Sequence, residues 1–345
     1  MNLCGIIRNN YNHNQLPAID KLLRRLRGTV VQYRTFRNTD PPHLVAVWNE
    51  TFTQRGAPQL CSSTLLERYV LSKSIFDPHG LIIAEENGQC AGFVHAGMSQ
   101  HPFNTQSIGV TSLLGVRPAF RRQGIGTELL RRSEEYLLQR GAEFLHAGGS
   151  WPNNPFYMGL YGGCDSPGFL ASDTFAEPFF RKRGYNIGQH ICILQRTLDQ
   201  PMKMFDPRFL PLRQRFDLEF GSPRHLLTWW HECIHGYVDP LQFVLNDRQQ
   251  NSWVARTLVW EMEVFSFRWQ RPSVGIFDFE VNPSYRQQGI GRFFLSLIMK
   301  YIQEQFFTLV EIQLDENNHQ GLQFLRSLDF QQVDTGLVYV RNPAP

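Results

Sequence analysis

Apolar positions define the same strand-then-helix order twice along the chain. Ile108–Val116 and Ser273–Val281 are short, largely apolar runs, which predict buried strands. After each run, apolar residues recur at three- and four-residue spacing, which predicts an amphipathic helix. These positions are Ile125, Leu129, Leu130, Tyr136 and Leu137 after the first strand, and Ile290, Phe294, Leu297, Ile298, Tyr301 and Ile302 after the second.

The regions around the two strand–helix pairs also correspond. Each helix leads to a predicted strand, a shorter helix and an aromatic strand start: Glu143–Ala147, Phe175–Arg183 and Tyr185 in the first half, and Thr308–Leu314, Gln320–Leu328 and Phe330 in the second. Hairpins are predicted upstream, pairing Leu81–Glu85 with Ala91–Ala96 and Leu241–Leu245 with Trp253–Trp260. This order predicts an α/β fold with a mixed sheet in each half.

The repeat predicts two domains, because its period is about one domain length and too long for a solenoid unit. A chain of 345 residues suits two domains of about 150–200 residues. Pro201, Pro207 and Pro211 interrupt both periodicities and predict a linker. We therefore predict an N-terminal extension at residues 1–30, a first domain at 31–199, a linker at 200–212 and a second domain at 213–345.

Composition narrows the class of protein. With 42% hydrophobic and 19% charged residues, the chain is expected to be globular and soluble, and a net charge of +3 argues against a general nucleic-acid binder. The six cysteines are dispersed, which favours reduced thiols in the cytoplasm. The N-terminal residues do not resemble a signal peptide, and no apolar run is long enough to predict a membrane span or a membrane partner.

A glycine-containing turn joins strand to helix in both halves. Val116–Gly126 reads VRPAFRRQGIG and Val281–Gly291 reads VNPSYRQQGIG. A helix N-terminus offers unpaired backbone N–H groups and a positive dipole end, and glycines let a ligand approach the backbone closely. Arg121, Arg122, Arg286 and Arg292 add positive charge. Each turn therefore suits a pyrophosphate.

Two other phosphate motifs fit poorly. A P-loop needs Lys and Ser or Thr after its second glycine, whereas Thr127 and Glu128 follow Gly126. A dinucleotide-binding turn needs a third glycine or alanine, where Leu129 and Phe294 stand instead. For a single copy, an ordinary turn before a helix would be an equal alternative; two copies in the same setting favour a binding function.

The segments Arg121–Gly126 and Arg286–Gly291 resemble the signature of the GNAT superfamily of N-acetyltransferases. The resemblance implies tandem GNAT domains, each with a mostly antiparallel sheet flanked by helices, and acetyl-CoA as acyl donor without a metal. It further implies backbone contacts to pyrophosphate from the two turns, contacts to the pantetheine arm from the preceding strands, and a contact from Asn318. The implied residues are Leu114, Gly115, Val116, Arg121, Arg122, Gln123, Gly124, Ile125, Gly126 and Thr127, with Phe279, Val281, Arg286, Gln287, Gln288, Gly289, Ile290, Gly291, Arg292 and Asn318.

The chain departs from the family pattern at the tyrosine that serves many members as general acid. Alignment places Phe180 at that position in the first half and Leu325 in the second. Neither side chain can donate a proton. Catalysis would then depend on water, another side chain or direct protonation.

Candidate acid–base residues lie on the second predicted strand. Asp278 and Glu280 share strand parity just before the second turn, where an acceptor amine would arrive. In the first half, the polar side chains at this place are only Thr111 and Ser112. This contrast favours the second half as catalytic, although both acids would equally suit a solvent-exposed edge.

Three further segments have alternative interpretations. His231–His235 reads HECIH, which matches a zinc-binding pattern on a helix, but no third ligand is evident and a partly exposed helix face is favoured. The aromatic insertion Trp151–Gly168 would either line a ligand cleft, seal the interface between the halves or form a packed loop. Phe265–Arg271 would be an acceptor-side loop or a hairpin tip.

The sequence thus predicts an N-acetyltransferase that transfers acetyl from acetyl-CoA to a primary amine of a small molecule or a protein by direct attack. The alternative is a CoA-binding sensor or scaffold in which one or both halves no longer catalyse. In a third interpretation, one half only completes the other half's acceptor pocket. The acceptor itself is not predicted, since acceptor pockets are built from variable loops.

Overall fold

The computed structural model describes residues 30–102, 105–199, 207–223, 228–250 and 252–342. Most of the predicted N-terminal extension and residues 200–206 of the predicted linker lie outside these ranges. Residues 209–212 of the predicted linker begin a helix, whose Phe209 is buried against Phe293 with ring centroids 5.3 Å apart. Within the described ranges, no helix is long and apolar enough to cross a membrane.

Helices and strands of the first half follow the predicted order. They are β1 (Gln32–Thr35), α1 (Pro41–Thr51), α2 (Thr64–Leu66, followed by a π-helical turn at Glu67–Leu71), β2 (Leu81–Glu86), β3 (Gln89–Met98), β4 (Ile108–Val116), α3 (Ile125–Gln139), β5 (Phe144–Ala147), β6 (Phe169–Leu170), α4 (Ala176–Arg181) and β7 (Asn186–Thr197). The predicted strand Ile108–Val116 is reproduced to the residue.

The second half repeats the main strand order but has no counterpart of β6 and a single helix in place of α1 and α2. It has additional helices before its first strand and between its hairpin and its central strand. Its elements are α5 (Phe209–Arg215), β8 (Phe216–Gly221), α6 (Trp229–His235), β9 (Leu241–Asp247), β10 (Ser252–Glu261), α7 (Glu263–Trp269), β11 (Ser273–Val281), α8 (Ile290–Glu304), β12 (Leu309–Asp315), α9 (His319–Arg326) and β13 (Gln331–Arg341).

The two halves share one continuous sheet and exchange their last strands. The strand order is β1-β2-β3-β4-β5-β13-β7-β12-β11-β10-β9-β8. Strand β13 of the second half pairs with β5, placing Tyr339 opposite Ala147, and β7 of the first half pairs with β12, placing Leu194 opposite Ile312. Each half therefore completes its sheet with a strand from the other. The fold class is as predicted, whereas the exchange was not predicted.

In each half, the pair of parallel strands at the centre separates part-way along its length. Strand β4 pairs with β5 only through Ile108–Thr111, and β11 pairs with β12 only through Ser273–Ile276. Both β4 and β11 carry a register shift against their antiparallel neighbour just beyond the paired segment. Such a bulge bends the strand and locally ends regular pairing. The separation opens a groove directly before each glycine turn.

Helix α7 corrects the sequence-based interpretation of Phe265–Arg271, which was a loop or a hairpin tip. Phe265 is fully buried, and Trp269 lies one turn further along the same face, where its Nε1 donates to the carbonyl of Arg55 at 3.0 Å. Arg268 donates to the carbonyl of Thr53 at 3.2 Å. This apolar spacing is typical of a helix that packs on one side, and it binds α7 to the first half.

Candidate active site

The backbone of the two glycine turns is nearly identical. Arg122 and Gln287 occupy the left-handed region with φ of 62° and 61°, and Gly124 and Gly289 do so with φ of 86° and 77°. A Cβ added to either glycine would meet nothing within 4 Å. The glycines thus supply a conformation that other residues rarely adopt, beside open space in front of the helix N-terminus.

The first arginine of each motif holds its turn against the preceding strand. Arg121 Nε donates to the carbonyl of Val116 at 2.9 Å, and Arg286 Nε donates to the carbonyl of Val281 at the same distance. These contacts stabilise the turn and direct the first backbone N–H groups of α3 and α8 outwards. Because both helices are 15 residues long, each N-terminus carries the positive dipole end that attracts an anion.

In the first half, this turn opens into a cationic cavity of about 450 Å³, called here the first-half cavity. Its apolar wall comes from Leu114, Val116 and the aromatic side chains of α4. Its charged side chains are Arg121, Arg122, Lys182, Arg183 and one acid, Asp173. A groove with four cations beside a helix N-terminus fits a polyphosphate.

Lys182 and Arg183 were not predicted as binding residues. They follow α4 in the basic run Arg181–Arg183, which was a detectable signal in the sequence. The Arg183 guanidinium lies 3.7 Å from the centroid of the Phe179 ring and donates a hydrogen bond to Thr127 at the start of α3. Arg183 therefore joins the predicted turn to α4.

Several predicted cofactor-binding side chains point away from the open space. Ile125 and Ile290 are buried in the core beneath their helices. Gln123 Nε2 donates back to the carbonyl of Ala119 at 3.3 Å, and Gln288 makes the equivalent bond to Ser284 at 3.2 Å. At these positions only the backbone faces the approach to the helix N-terminus.

The remaining predicted cofactor-binding residues have mixed surroundings. Arg292 donates to Ser327 Oγ at 2.7 Å, and Asn318 caps α9 by accepting from the Gly321 N–H at 2.9 Å. Phe279 packs against Phe294 in a tilted arrangement, with ring centroids 5.6 Å apart. Gly115 and Val281 lie at the ends of β4 and β11, Gln287 lies in the second glycine turn, and Gly291 lies in the first turn of α8.

A second cavity, of about 240 Å³, lies beside the bulge of β11 and is called here the second-half cleft. Asp278 and Glu280, the two candidate acid–base residues, both line it. The other residues that line it are Trp151, Pro223, His231, Gln242, Arg256, Thr257, Leu258 and Phe279. The cleft therefore combines two carboxylates, an arginine, an imidazole and an indole.

Asp278 sits at the bulge and is paired with His231 from α6. Its backbone has a φ of 52°, and its Oδ2 lies 2.9 Å from His231 Nε2. The Asp278 side chain is 38% exposed, whereas the His231 side chain is 2% exposed. The imidazole consequently lies behind the carboxylate, and the carboxylate faces the cleft.

The surroundings of Asp278 favour its ionised form. Its partial burial raises the pKa, but the hydrogen bond from His231 and the positive charge of Arg256 lower it, and the net pKa is below the usual range for aspartate. Among the described residues, His231 Nδ1 has no hydrogen-bond partner, which favours the tautomer with its proton on Nε2, directed at Asp278. Glu280 forms an ion pair with Arg256, with 2.8 Å between the guanidinium nitrogen and the carboxylate oxygen.

The HECIH segment forms helix α6, and its histidines have other roles than the zinc pattern suggests. His231 is committed to Asp278, while His235 is buried and stacks on Phe277 with ring centroids 4.8 Å apart. Burial lowers the pKa of His235 to about 3, so its ring is neutral. Across the part of the chain that is described, no group of three or more His, Cys, Asp or Glu side chains is placed to hold a metal ion.

The aromatic insertion of the first half both lines the second-half cleft and seals the interface. Trp151 lies in the cleft, with its ring 5.3 Å from that of His231. Further along the insertion, the Cys164 N–H donates to the buried Glu311 at 2.7 Å, and Trp260 Nε1 donates to the Cys164 carbonyl at 3.0 Å. The interpretation as the lining of a cleft therefore describes Trp151, and the interpretation as a seal between the halves describes Cys164.

The corresponding place in the first half lacks a carboxylate. Leu113, which aligns with Asp278 when the two motifs are superposed, is fully buried. Thr111 Oγ1 is occupied by Ser133 Oγ at 2.6 Å. The same insertion fills the space beside β3, where the Phe156 ring stacks on His95 with centroids 4.1 Å apart.

The positions expected to hold a general-acid tyrosine are apolar and buried in both halves. Phe180 is 1% exposed and stacks on Tyr339, and Leu325 is 3% exposed within the second core. Both side chains serve packing.

A family model and curated relatives match parts of this chain. The acetyltransferase (GNAT) family model matches residues 42–162 and 197–330. An acetyltransferase of Pectobacterium atrosepticum is 31% identical over 116 residues, covering 34% of this chain and 74% of that protein. An acetyltransferase of Photorhabdus laumondii is 29% identical over 111 residues, covering 32% and 69%.

Solved structures resemble almost the whole chain in fold. A glucosamine N-acetyltransferase region of a fungal multi-domain β-N-acetylglucosaminidase superposes with a TM-score of 0.70 at 17% identity, covering 91% of this chain but only 38% of that one. A tandem GNAT protein from the clavulanic acid biosynthesis pathway superposes with a TM-score of 0.61 at 14% identity, covering 92% and 99%. With two matched regions and a tandem architecture, this chain belongs to the GNAT acetyltransferase family.

Proposed function

We propose that the protein is an acyl-CoA-dependent N-acetyltransferase that acts on a primary amine of a small molecule or a protein by direct attack, and that its second half carries the acceptor site. One observation carries this assignment. The ionised Asp278 carboxylate faces a cleft at the point where β11 separates from β12, directly before the second glycine turn. Family membership supports the reaction class.

Acetyl-CoA supplies an acetyl thioester, so that the amine nitrogen bonds to the carbonyl carbon while the carbon–sulfur bond breaks with its electron pair on sulfur, and the amine loses one proton. In this chain, Asp278 binds the acceptor as its ammonium, which gives one proton to solvent to form the free amine. As the amine attacks, Asp278 takes up the proton it loses and relays it through water to the departing sulfur. His231 fixes the carboxylate by its hydrogen bond. Glu280 orients the acceptor from the same wall while paired with Arg256.

The donor would be held by the two glycine turns and the strands before them. Backbone N–H groups of Arg122–Thr127 and Gln287–Arg292 would bind pyrophosphate, with Arg121 and Arg286 stabilising the turns. The pantetheine arm would lie in the groove left by the separated strands, along Leu114–Val116 and Phe279–Val281. The open space at Gly124 and Gly289 supports this fit. The five described cysteines are free, which supports a reducing compartment such as the cytoplasm.

For the first half considered by itself, a second candidate function is that of a CoA-binding sensor. The 450 Å³ first-half cavity has the charge expected of a CoA site. Leu113, however, stands where the second half has Asp278, and Phe156 fills the adjacent space. The first half would then bind CoA without transferring its acyl group.

Acetyl transfer to a panel of primary amines tests the proposed function. The full chain is incubated with acetyl-CoA and each amine, free thiol is followed with time, and the product mass is determined. We expect thiol release that depends on the amine and matches N-acetyl product one to one. Thiol release without acetylated amine, or no transfer to any amine while CoA binds, would contradict the proposal and favour the sensor.

A further inference from the structure

The second-half cleft has one wall that comes from the first half. The indole of Trp151 lies among three imidazoles, with ring centroids 5.4 Å from His101, 5.3 Å from His231 and 5.0 Å from His235. Trp151 is only partly buried and faces the cleft that Asp278 also faces. An acceptor bound to Asp278 would therefore lie beside the indole.

The segment that carries Trp151 is held in place on both sides. Trp230 Nε1 of α6 donates to the carbonyl of Pro152 at 2.7 Å. Ser99 Oγ donates to Asn153 Oδ1 at 2.8 Å, and Ser150 Oγ donates to Gln189 Oε1 at 2.6 Å. Because these bonds flank Trp151 directly, the indole is positioned before any ligand arrives, which lowers the entropy cost of binding.

The remaining walls of the cleft suit a hydroxylated acceptor. Gln242, Arg256 and Glu280 place amide, guanidinium and carboxylate groups around the same space as Trp151 and Asp278. The volume of about 240 Å³ lies below the usual range of about 300–1,000 Å³ for drug-sized ligands. The cleft therefore fits a small molecule with several polar groups and one apolar face.

We propose that Trp151 determines acceptor specificity across the halves and that the acceptor is an amino sugar, a small hydroxylated ring that bears a primary amine. This inference rests on the proposed function for its chemistry. The apolar face of the ring stacks on the indole, the ammonium binds Asp278, and the hydroxyls bind Gln242, Arg256 and Glu280.

Other amines match the cleft less well. A linear polyamine would need carboxylates at its second charge, but Glu280 is already paired with Arg256. A simple apolar ring amine would offer no hydrogen-bonding group to the Gln242 amide, which disfavours binding. A peptide N-terminus would extend well beyond a cavity of this volume.

Calorimetry tests the inference without depending on turnover. D-glucosamine is titrated into the full chain in the presence of CoA, alongside D-glucose, cyclohexylamine, spermidine and a short peptide. We expect D-glucosamine to bind most tightly, with D-glucose weakened by loss of the ammonium. Trp151→Ala should weaken D-glucosamine binding by about tenfold, and Trp151→Phe should retain most of it.

Two further variants keep the test decisive if Trp151→Ala does not fold. Gln242→Leu should weaken D-glucosamine while sparing cyclohexylamine, because only the sugar offers hydroxyls. Phe267→Ala removes an aromatic side chain that is 72% exposed on α7 and should change neither affinity. Unchanged D-glucosamine affinity in Trp151→Ala, or tighter binding of spermidine or peptide, overturns the inference.

Turnover then separates this inference from the proposed function. In Trp151→Ala the KM for D-glucosamine should rise about tenfold, with kcat and CoA affinity nearly unchanged. If D-glucosamine binds in a way that depends on Trp151 but is not acetylated, the role of Trp151 in specificity is supported and the proposed acetyltransferase function is contradicted. If a peptide amine is acetylated equally well with and without the Trp151 side chain, the proposed acetyltransferase function is supported and the role of Trp151 in acceptor specificity is overturned.

Discussion

His231 Nε2 lies 2.9 Å from Asp278 Oδ2, with the imidazole buried and the carboxylate open to the second-half cleft. The hydrogen bond joins α6 to the bulge of β11 and fixes the carboxylate at a place where the backbone has a positive φ. Bulges often direct a side chain at a functional site. Here the bulge and the histidine together aim Asp278 at the expected acceptor.

Replacing His231 should shift the pH dependence of turnover. The His231→Phe variant loses a hydrogen bond that lowers the pKa of Asp278. The pKa of Asp278 therefore rises, and the acidic limb of the kcat/KM profile should move to higher pH. A pH–rate profile measures this shift. His190→Phe, on the exposed face of β7, is the control, and an unmoved limb in His231→Phe would contradict the pairing role.

Substitution of the turn glycines should remove CoA sites one at a time. Gly124→Val and Gly289→Val each force a β-branched residue into a positive φ and place a side chain in the open space before the helix. We expect calorimetry to give two CoA per chain for the wild type, one for each single variant and none for the double variant.

Gly141→Val provides the matched control for backbone strain. Gly141 has a φ of 85° and, like Gly124, nothing within 4 Å of an added Cβ, but it lies at the far end of α3. Its substitution should leave CoA stoichiometry at two. Full CoA binding in the double turn variant would show that the turns do not hold the donor.

The repeated order of elements was predictable because strands and helices bury one face at a fixed period. The strands Ile108–Val116 and Ser273–Val281 have their predicted bounds, and the apolar positions predicted to be helical after Gly124 and Gly289 lie within α3 and α8. The glycines of the two turns were predictable too, since glycine adopts a positive φ more readily than any other residue.

Long-range contacts could not be predicted from local periodicity. Strands β7 and β13 have the pattern of buried strands in either half, and nothing local specifies that they exchange. Trp151 and His231 line the same cleft as Asp278 only through tertiary packing, so the sequence did not place either residue near Asp278. The zinc-like spacing of His231 and His235 reflected helix periodicity without revealing the partner of either ring.

Two buried histidines should make the fold sensitive to acid. Burial lowers the pKa of both His95 and His235 to about 3, from about 6.5 in the unfolded chain. Between these values the unfolded chain binds more protons, so the free energy of unfolding should fall as pH decreases from about 6.5. Each histidine contributes up to about 1.4 kcal/mol per pH unit.

Denaturant unfolding at pH 7 and pH 5 measures this effect. His95→Phe keeps a ring for stacking on Phe156 but removes the titrating group, so its stability should vary less with pH than that of the wild type. Equal pH slopes for the two proteins would show that His95 is not held neutral in the fold.

Metal analysis tests the alternative interpretation of His231–His235 as a zinc-binding pattern. We expect no stoichiometric zinc in the purified protein and no loss of acetyl transfer on treatment with a chelator, because His231 Nε2 is occupied by Asp278. One zinc per chain that disappears in His235→Phe would instead assign α6 to a metal site.

The assignment of catalysis to the second half is tested most directly by the steady-state kinetics of Asp278→Asn with a productive amine. Loss of general-base assistance is expected to lower kcat by about 10²–10⁴-fold while CoA affinity stays near wild type, and Glu280→Gln should cause a smaller loss. Asp173→Asn, a matched change of the acid in the first-half cavity, should leave most turnover intact. Full activity in Asp278→Asn together with inactivity in a folded Asp173→Asn or Arg122→Ala would contradict the account and move catalysis to the first half.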